Sequence, residues 1–122
     1  MIINKTYRLY VFDLDGTLAD TKEDIGRAIK RVLEEAGFKP PSDQEVVSAI
    51  GGGARNALNK LTGIEGEALE PYAAAFMDDY YEMCCDNVKL YAGACELLHR
   101  LKRQGAVLAL VTMKFRSATD RI

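Results

Sequence analysis

Asp13 and Asp15 stand two residues apart and are followed at once by Gly16, after the apolar run Leu9-Tyr10-Val11-Phe12. Side chains alternate along a strand, so strand geometry carried through to Asp15 turns both carboxylates toward one reaction centre. Gly16 lets the chain turn sharply there. Such a pair suits phosphoryl transfer, which needs a nucleophile, a proton donor for the leaving alkoxide and positive charge against the phosphate oxygens. Asp13 can attack phosphorus and form an aspartyl phosphate. Asp15 can protonate the leaving oxygen and then activate the water that cleaves the intermediate. A hard, all-oxygen site of this kind suits Mg²⁺, which would also keep two adjacent acids ionised. Two solvated acids in an ordinary loop are the bland alternative, and the apolar strand before them argues against it. An EF-hand loop starting at Asp13 fails because its sixth position, where glycine is needed, is Leu18.

The elements that must hold these residues follow from periodicity. Tyr7 to Phe12 reads as a buried strand. Thr21 to Ala36 reads as a helix, opened by a capping-box-like Thr21-Lys-Glu-Asp24 and ended by Gly37 and Pro40-Pro41. Ile25, Ala28, Ile29, Val32, Leu33 and Ala36 form its apolar stripe. Ser42-Asp-Gln-Glu45 is a second capping box and opens a short helix with Val46, Val47 and Ile50. Gly51-Gly52-Gly53 breaks it, and helical spacing resumes from Ala54 to Leu61 and stops at Gly63. A further helix is predicted from about Glu67 to Met83, with Pro71 tolerated near its first turn. Its apolar face is Leu69, Tyr72, Ala73, Phe76, Met77 and Tyr80. Asp86 to Gly93 reads as a loop. Ala94, Leu97, Leu98 and Leu101 mark the next helix, closed by Gly105. Ala106 to Val111 reads as a second buried parallel strand, and Ser117 to Ile122 as the start of a last helix. A strand, a long helical stretch, then a helix and a second strand make an α/β core with a large helical insertion.

The 122 residues suit one domain. A net charge of −2, with both signs mixed and no polybasic run, excludes an electrostatic pull toward nucleic acid or anionic membrane. No apolar run approaches the roughly 20 residues that span a bilayer, and the acids at 13 and 15 interrupt any signal peptide. The cytoplasm is the default compartment. Cys84, Cys85 and Cys95 show no CxxC spacing and read as reduced thiols. The only histidine, His99, lies among helical leucines and reads as a half-exposed helix residue, so a catalytic cysteine has no base.

Asp13-Leu-Asp-Gly-Thr-Leu-Ala-Asp20-Thr21 closely resembles the first motif of the haloacid dehalogenase superfamily, most of all its phosphoglycolate phosphatase branch. The signature is not that of a receiver domain. The resemblance implies a Rossmannoid α/β core, residues 1–17 and 87–122, with an inserted α-helical bundle cap, residues 18–86. It implies Asp13 as nucleophile, Asp15 as acid and base, and Mg²⁺ held by Asp13 and the backbone carbonyl of Asp15. Thr17, beside Gly16, would position the phosphate loop. Ile50-Gly-Gly-Gly-Ala-Arg55 resembles the cap loop that meets substrate, and the planar fork of Arg55 suits a carboxylate or phosphate. Leu90-Tyr91-Ala92-Gly93 resembles the return from cap to core, with Ala92 in place of the usual proline. Val111-Thr112-Met113-Lys114 resembles the second motif. There the Thr112 hydroxyl binds the transferring phosphoryl group, Met113 replaces a common asparagine, and Lys114 is a frequent neighbour among the phosphate-binding candidates. It is not in the position of the catalytic lysine.

The resemblance further implies a third motif with that lysine and a fourth with acids that complete the Mg²⁺ site, both after the second strand. The chain ends at Ile122, so a C-terminally truncated phosphatase with little or no turnover is expected. The implied substrate is a small phosphorylated metabolite, phosphoglycolate first. Two alternatives stand beside it: a non-catalytic binding or dimerisation module, able to form a homo-oligomer through exposed core edges, and an enzyme like β-phosphoglucomutase or a pyrophosphatase of the same superfamily.

Overall fold

Apolar periodicity decides the helices. In the computed structural model, which describes residues 5–122, Ala28, Ile29, Val32 and Leu33 form the buried face of α1 (Lys22–Glu35). α2 (Asp43–Ala49) starts at the Ser42 capping box. The Ser42 hydroxyl accepts from the Glu45 backbone N–H at 3.2 Å, and the Glu45 carboxylate accepts from the Ser42 N–H at 2.7 Å. The glycine run then ends, and α3 (Ala54–Thr62) follows and stops at Gly63 in the left-handed region, φ +74°. A 3-10 turn over Gly66–Leu69 leads into α4 (Glu70–Met83), so the α-helix begins three residues later than its apolar pattern suggests, with Pro71 in its first turn. α1 packs along α4, and Leu58, Val46, Phe76 and Tyr80 complete the core of this unit. Phe76 and Tyr80 stack with ring centroids 5.4 Å apart.

Described residues up to Asp20, together with Lys89–Thr112, form one compact unit, and Thr21–Val88 with Met113–Ile122 form the other. These limits differ from the sequence division in three places. Residues 18–20 belong with the strands, and residues 87–88 and the last ten residues belong with the helices. α6 (Arg116–Arg121) buries Ala118 in the helical core, and Phe115 meets the Tyr80 ring edge-on at 6.1 Å.

The strand unit holds two small sheets. β1 (Leu9–Phe12) pairs in parallel with β4 (Val107–Leu110), Leu9 opposite Val107 and Phe12 opposite Leu110. α5 (Ala94–Arg103) lies against β4 and buries Ala94 and Leu101. The parallel pairing follows the sequence reading, but the burial does not. Leu9 is 54 % exposed, Val11 55 % and Val107 62 %. Among the described residues each strand has a single neighbour, and a parallel pair needs cover on both faces before its apolar run is buried. β1 also starts at Leu9 rather than Tyr7.

The stretch expected to be a loop from Asp86 to Gly93 contains β3 (Lys89–Leu90). It runs antiparallel to β2 (Ala19–Asp20), and the Tyr91 N–H extends the ladder to the Leu18 carbonyl at 3.0 Å. The capping box expected at Thr21 does not form, because the Thr21 side chain makes no cap hydrogen bond. Asp24, which would have completed that box, is buried. It accepts from the Asn87 backbone N–H and side-chain amide, both at 2.8 Å, and from Arg27 at 3.1 Å. Arg27 also reaches Asp86 at 3.1 Å. No helix among the described residues is long and apolar enough to cross a membrane.

Candidate active site

β1 and β4 run the same way, so their carboxyl ends lie at one edge of the pair. The Val111 N–H donates to the Phe12 carbonyl at 2.8 Å and ties the two strand exits together. Asp13 follows β1 directly, and Thr112 comes two residues after Leu110, the partner of Phe12. Ligands of open α/β sheets bind beyond the carboxyl ends of the strands, and these residues occupy that edge.

The loop after β1 is tightly wound. The Leu14 carbonyl accepts from the N–H groups of Thr17, Leu18 and Ala19 at 3.0–3.1 Å, and the Gly16 N–H donates to the Ala19 carbonyl at 2.9 Å. Gly16 sits at φ +74°, where a Cβ would be strained. Regular pairing ends at Phe12, yet alternation persists. Asp13 is exposed, Leu14 buried and Asp15 half-buried. Leu14 thus serves as an apolar anchor between two acids that are left accessible. One Asp13 oxygen, Oδ1, accepts from the Leu14 N–H at 2.7 Å, which orients its carboxylate. Thr17 is exposed and Thr112 half-buried. Asp13, Asp15, Gly16 and Thr17 therefore share one loop, with Thr112 on the neighbouring strand exit.

Arg55 and Lys114 belong to the helical unit, and each has a local partner. Arg55 lies in the first turn of α3 and makes a two-pronged ion pair with Glu70, Nη2 to Oε2 at 2.6 Å. That hydrogen-bonded contact holds the Glu70 carboxyl below its usual range and the guanidinium above its own. Its fork faces a protein carboxylate of the kind it was expected to meet on a substrate. Lys114 Nζ donates to the Tyr80 hydroxyl at 2.6 Å and lies 4.4 Å from the ring centroid. In the glycine run, a Cβ on Gly53 would come 3.8 Å from the Met113 side chain, and Gly53 itself has φ +91°.

The Asp24–Asn87–Arg27 cluster was missed by sequence reasoning. Its only local signal, an acid three residues after a threonine, is the same as that of a capping box. Among the described residues no three or more His, Cys, Asp or Glu side chains converge as a metal centre. Asp13 and Asp15 are the oxygen donors of the loop. Mg²⁺ is held through one or two carboxylates and keeps several waters, so the donor set fits it.

The sequence profile of haloacid dehalogenase-like hydrolases matches residues 10–122. A phosphoglycolate phosphatase of Aquifex aeolicus is 34% identical over 115 residues, which cover 94% of this chain and 53% of that protein. An N-acetylmuramic acid 6-phosphate phosphatase of Pseudomonas aeruginosa is 32% identical over 106 residues, covering 85% and 47%. The crystal structure of a haloacid dehalogenase-like protein from Bacteroides fragilis superposes with a TM-score of 0.88 at 28% identity, over 94% of this chain and 55% of that one. The chain spans about half the length of the curated relatives it matches.

Proposed function

We propose that this chain, which belongs to the haloacid dehalogenase-like hydrolase family, carries the nucleophile-bearing part of a phosphomonoester hydrolase acting on small phosphorylated metabolites. The observation that carries this reading is Asp13 at the carboxyl end of β1, with Asp15 in the same loop and Thr112 at the exit of the parallel neighbour. Asp13 attacks phosphorus, and the ester oxygen leaves with a proton from Asp15. Asp15 then takes a proton from the water that attacks the aspartyl phosphate, releasing phosphate and restoring Asp13. The Thr112 hydroxyl donates to a non-bridging phosphate oxygen, and Gly16 and Thr17 hold the turn around it. Mg²⁺ bound by Asp13 and the Asp15 backbone carbonyl would supply the positive charge that offsets the phosphate oxygens. Phosphoglycolate is the first substrate to test. A sugar phosphate is the second, as one relative is named for a phosphorylated amino sugar. The three unpaired cysteines suit a reducing compartment, the cytoplasm.

Beryllofluoride mimics a phosphoryl group bonded to a carboxylate oxygen. Fluorine NMR of the 122-residue chain with beryllofluoride and Mg²⁺ is expected to show a bound signal that Asp13→Asn abolishes. A bound signal that survives Asp13→Asn removes Asp13 as the nucleophile. Turnover of an aryl phosphate by residues 1–122 alone is expected to be close to background. Robust hydrolysis that depends on Asp13 would overturn that expectation while supporting the reaction.

A second reading rests on the exposed apolar residues of β1 and β4. It treats the strand pair as a surface for another chain, a second copy included. Sedimentation showing a stable monomer would count against it.

A further inference from the structure

The helical unit carries a second chemically competent pair, away from the Asp13 loop in sequence and independent of the phosphatase reading. Cys84 ends α4 and Cys85 follows in the turn, with their sulfurs 3.9 Å apart. Each thiol rests on a carbonyl, Cys84 on that of Tyr81 at 3.5 Å and Cys85 on that of Arg121 at 3.3 Å. Cys84 is buried and Cys85 exposed, so the pair opens to solvent on one side.

Adjacent residues have Cα atoms about 3.8 Å apart across a trans peptide. Disulfides usually join Cα atoms about 4.4–6.8 Å apart, so a direct S–S bond here would distort the turn. One soft atom bonded to both sulfurs makes no such demand. Two bonds of about 2.3 Å meeting at a pyramidal trivalent centre at roughly 95–100° span about 3.4–3.5 Å, so the sulfurs need to approach by only a few tenths of an ångström from their present 3.9 Å. No third or fourth His, Cys, Asp or Glu joins the pair among the described residues. That disfavours an ion needing three or four protein ligands and favours a reagent satisfied by two sulfurs.

We propose that Cys84 and Cys85 form a vicinal-dithiol site for monosubstituted trivalent arsenoxides. In the reaction, two S–As bonds form and the arsenic–oxygen double bond breaks. Both thiol protons leave with that oxygen as water, and arsenic stays trivalent. Burial pushes the Cys84 thiol up, against the nearby Arg121 and Lys114 cations, so the first bond forms at exposed Cys85 and Cys84 closes the ring. Closure replaces the Cys85 contact with the Arg121 carbonyl at the end of α6.

Phenylarsine oxide is the probe, with native mass spectrometry as the readout. The wild-type chain and Cys95→Ser are expected to gain one phenylarsenic group less two hydrogens. They should hold it against excess monothiol and release it to 2,3-dimercaptopropanol. Cys85→Ser, an exposed change that leaves the core intact, should lose at least about tenfold in retention. Cys84→Ser should match it, provided that its circular dichroism shows a folded chain. Retention at the wild-type level in Cys85→Ser, dependence on Cys95, or no uptake by the folded wild type would each overturn the proposal.

Discussion

In the helical unit Ile29, Leu33, Leu58 and Phe76 are each at most 3% exposed, whereas in the strand unit Leu9, Val11 and Val107, of the same apolar character, stand more than half open. The two regions differ in where their cover comes from. An amphipathic helix offers one stripe, and a neighbouring helix with its own stripe closes it. A parallel strand is apolar on both faces and must be covered by elements other than the strand it pairs with. Apolar sequence therefore states a demand for burial. Only a unit that contains its own complement meets that demand.

Substitutions can break or sharpen this contrast. The largest effect is expected from Leu58→Ala, which empties a fully buried site and should cost about 2–5 kcal/mol in urea unfolding. A cost close to zero would mean that the helical core is loosely packed. Asp24→Ala comes next. It strips the acceptor from two half-buried Asn87 donors and from exposed Arg27, and losing these hydrogen bonds to a charged, buried acceptor should cost about 1–3 kcal/mol. Exchange of the Asn87 amide proton should speed up in step, and protection unchanged from wild type would remove the cluster from the unit's stability. Ser42→Ala should cost about 1 kcal/mol through the lost cap.

The same cap gives a pH signature. The Ser42 backbone N–H and hydroxyl hold the Glu45 carboxyl below its usual range. Its contribution is therefore present above the unfolded pKa and lost as pH falls through the lower folded value. Urea midpoints between about pH 6 and about pH 3 should fall less steeply in Ser42→Ala than in wild type, and equal slopes would discount the cap. The smallest effect is expected at Val11. Val11→Ala should shift stability by no more than about 0.5 kcal/mol, as at other exposed positions. A loss as large as that of Leu58→Ala would show the strand face to be covered in solution and would erase the contrast.

The sequence was legible wherever the interacting residues lay close together in it. Ser42 and Glu45 complete each other within one turn, and their box formed as read. Thr21 and Asp24 have the same spacing, but a donor 63 residues away captured the acid. Two-residue strands such as β2 and β3 carry no periodicity to detect. The Asp13–Thr17 loop could be read because its turn is closed by its own backbone. Arg55 shows the opposite case. An arginine announces a need for an anion, but nothing near it in sequence says whether Glu70 or a ligand will provide one.

The pairing of Asp20 with Lys89 has a consequence for how such a chain can change over generations. That ladder fastens together the two points between which residues 21–88 are spliced. The entropy of closing a loop grows only slowly with its length, so the splice can lengthen, shorten or be exchanged at little cost to the strands. α6 restricts this freedom. It comes from the far side of the splice and yet buries Ala118 among the inserted helices. A graft cut at residues 21 and 88 would leave that helix behind, so a transplanted insert would have to bring its own replacement for it.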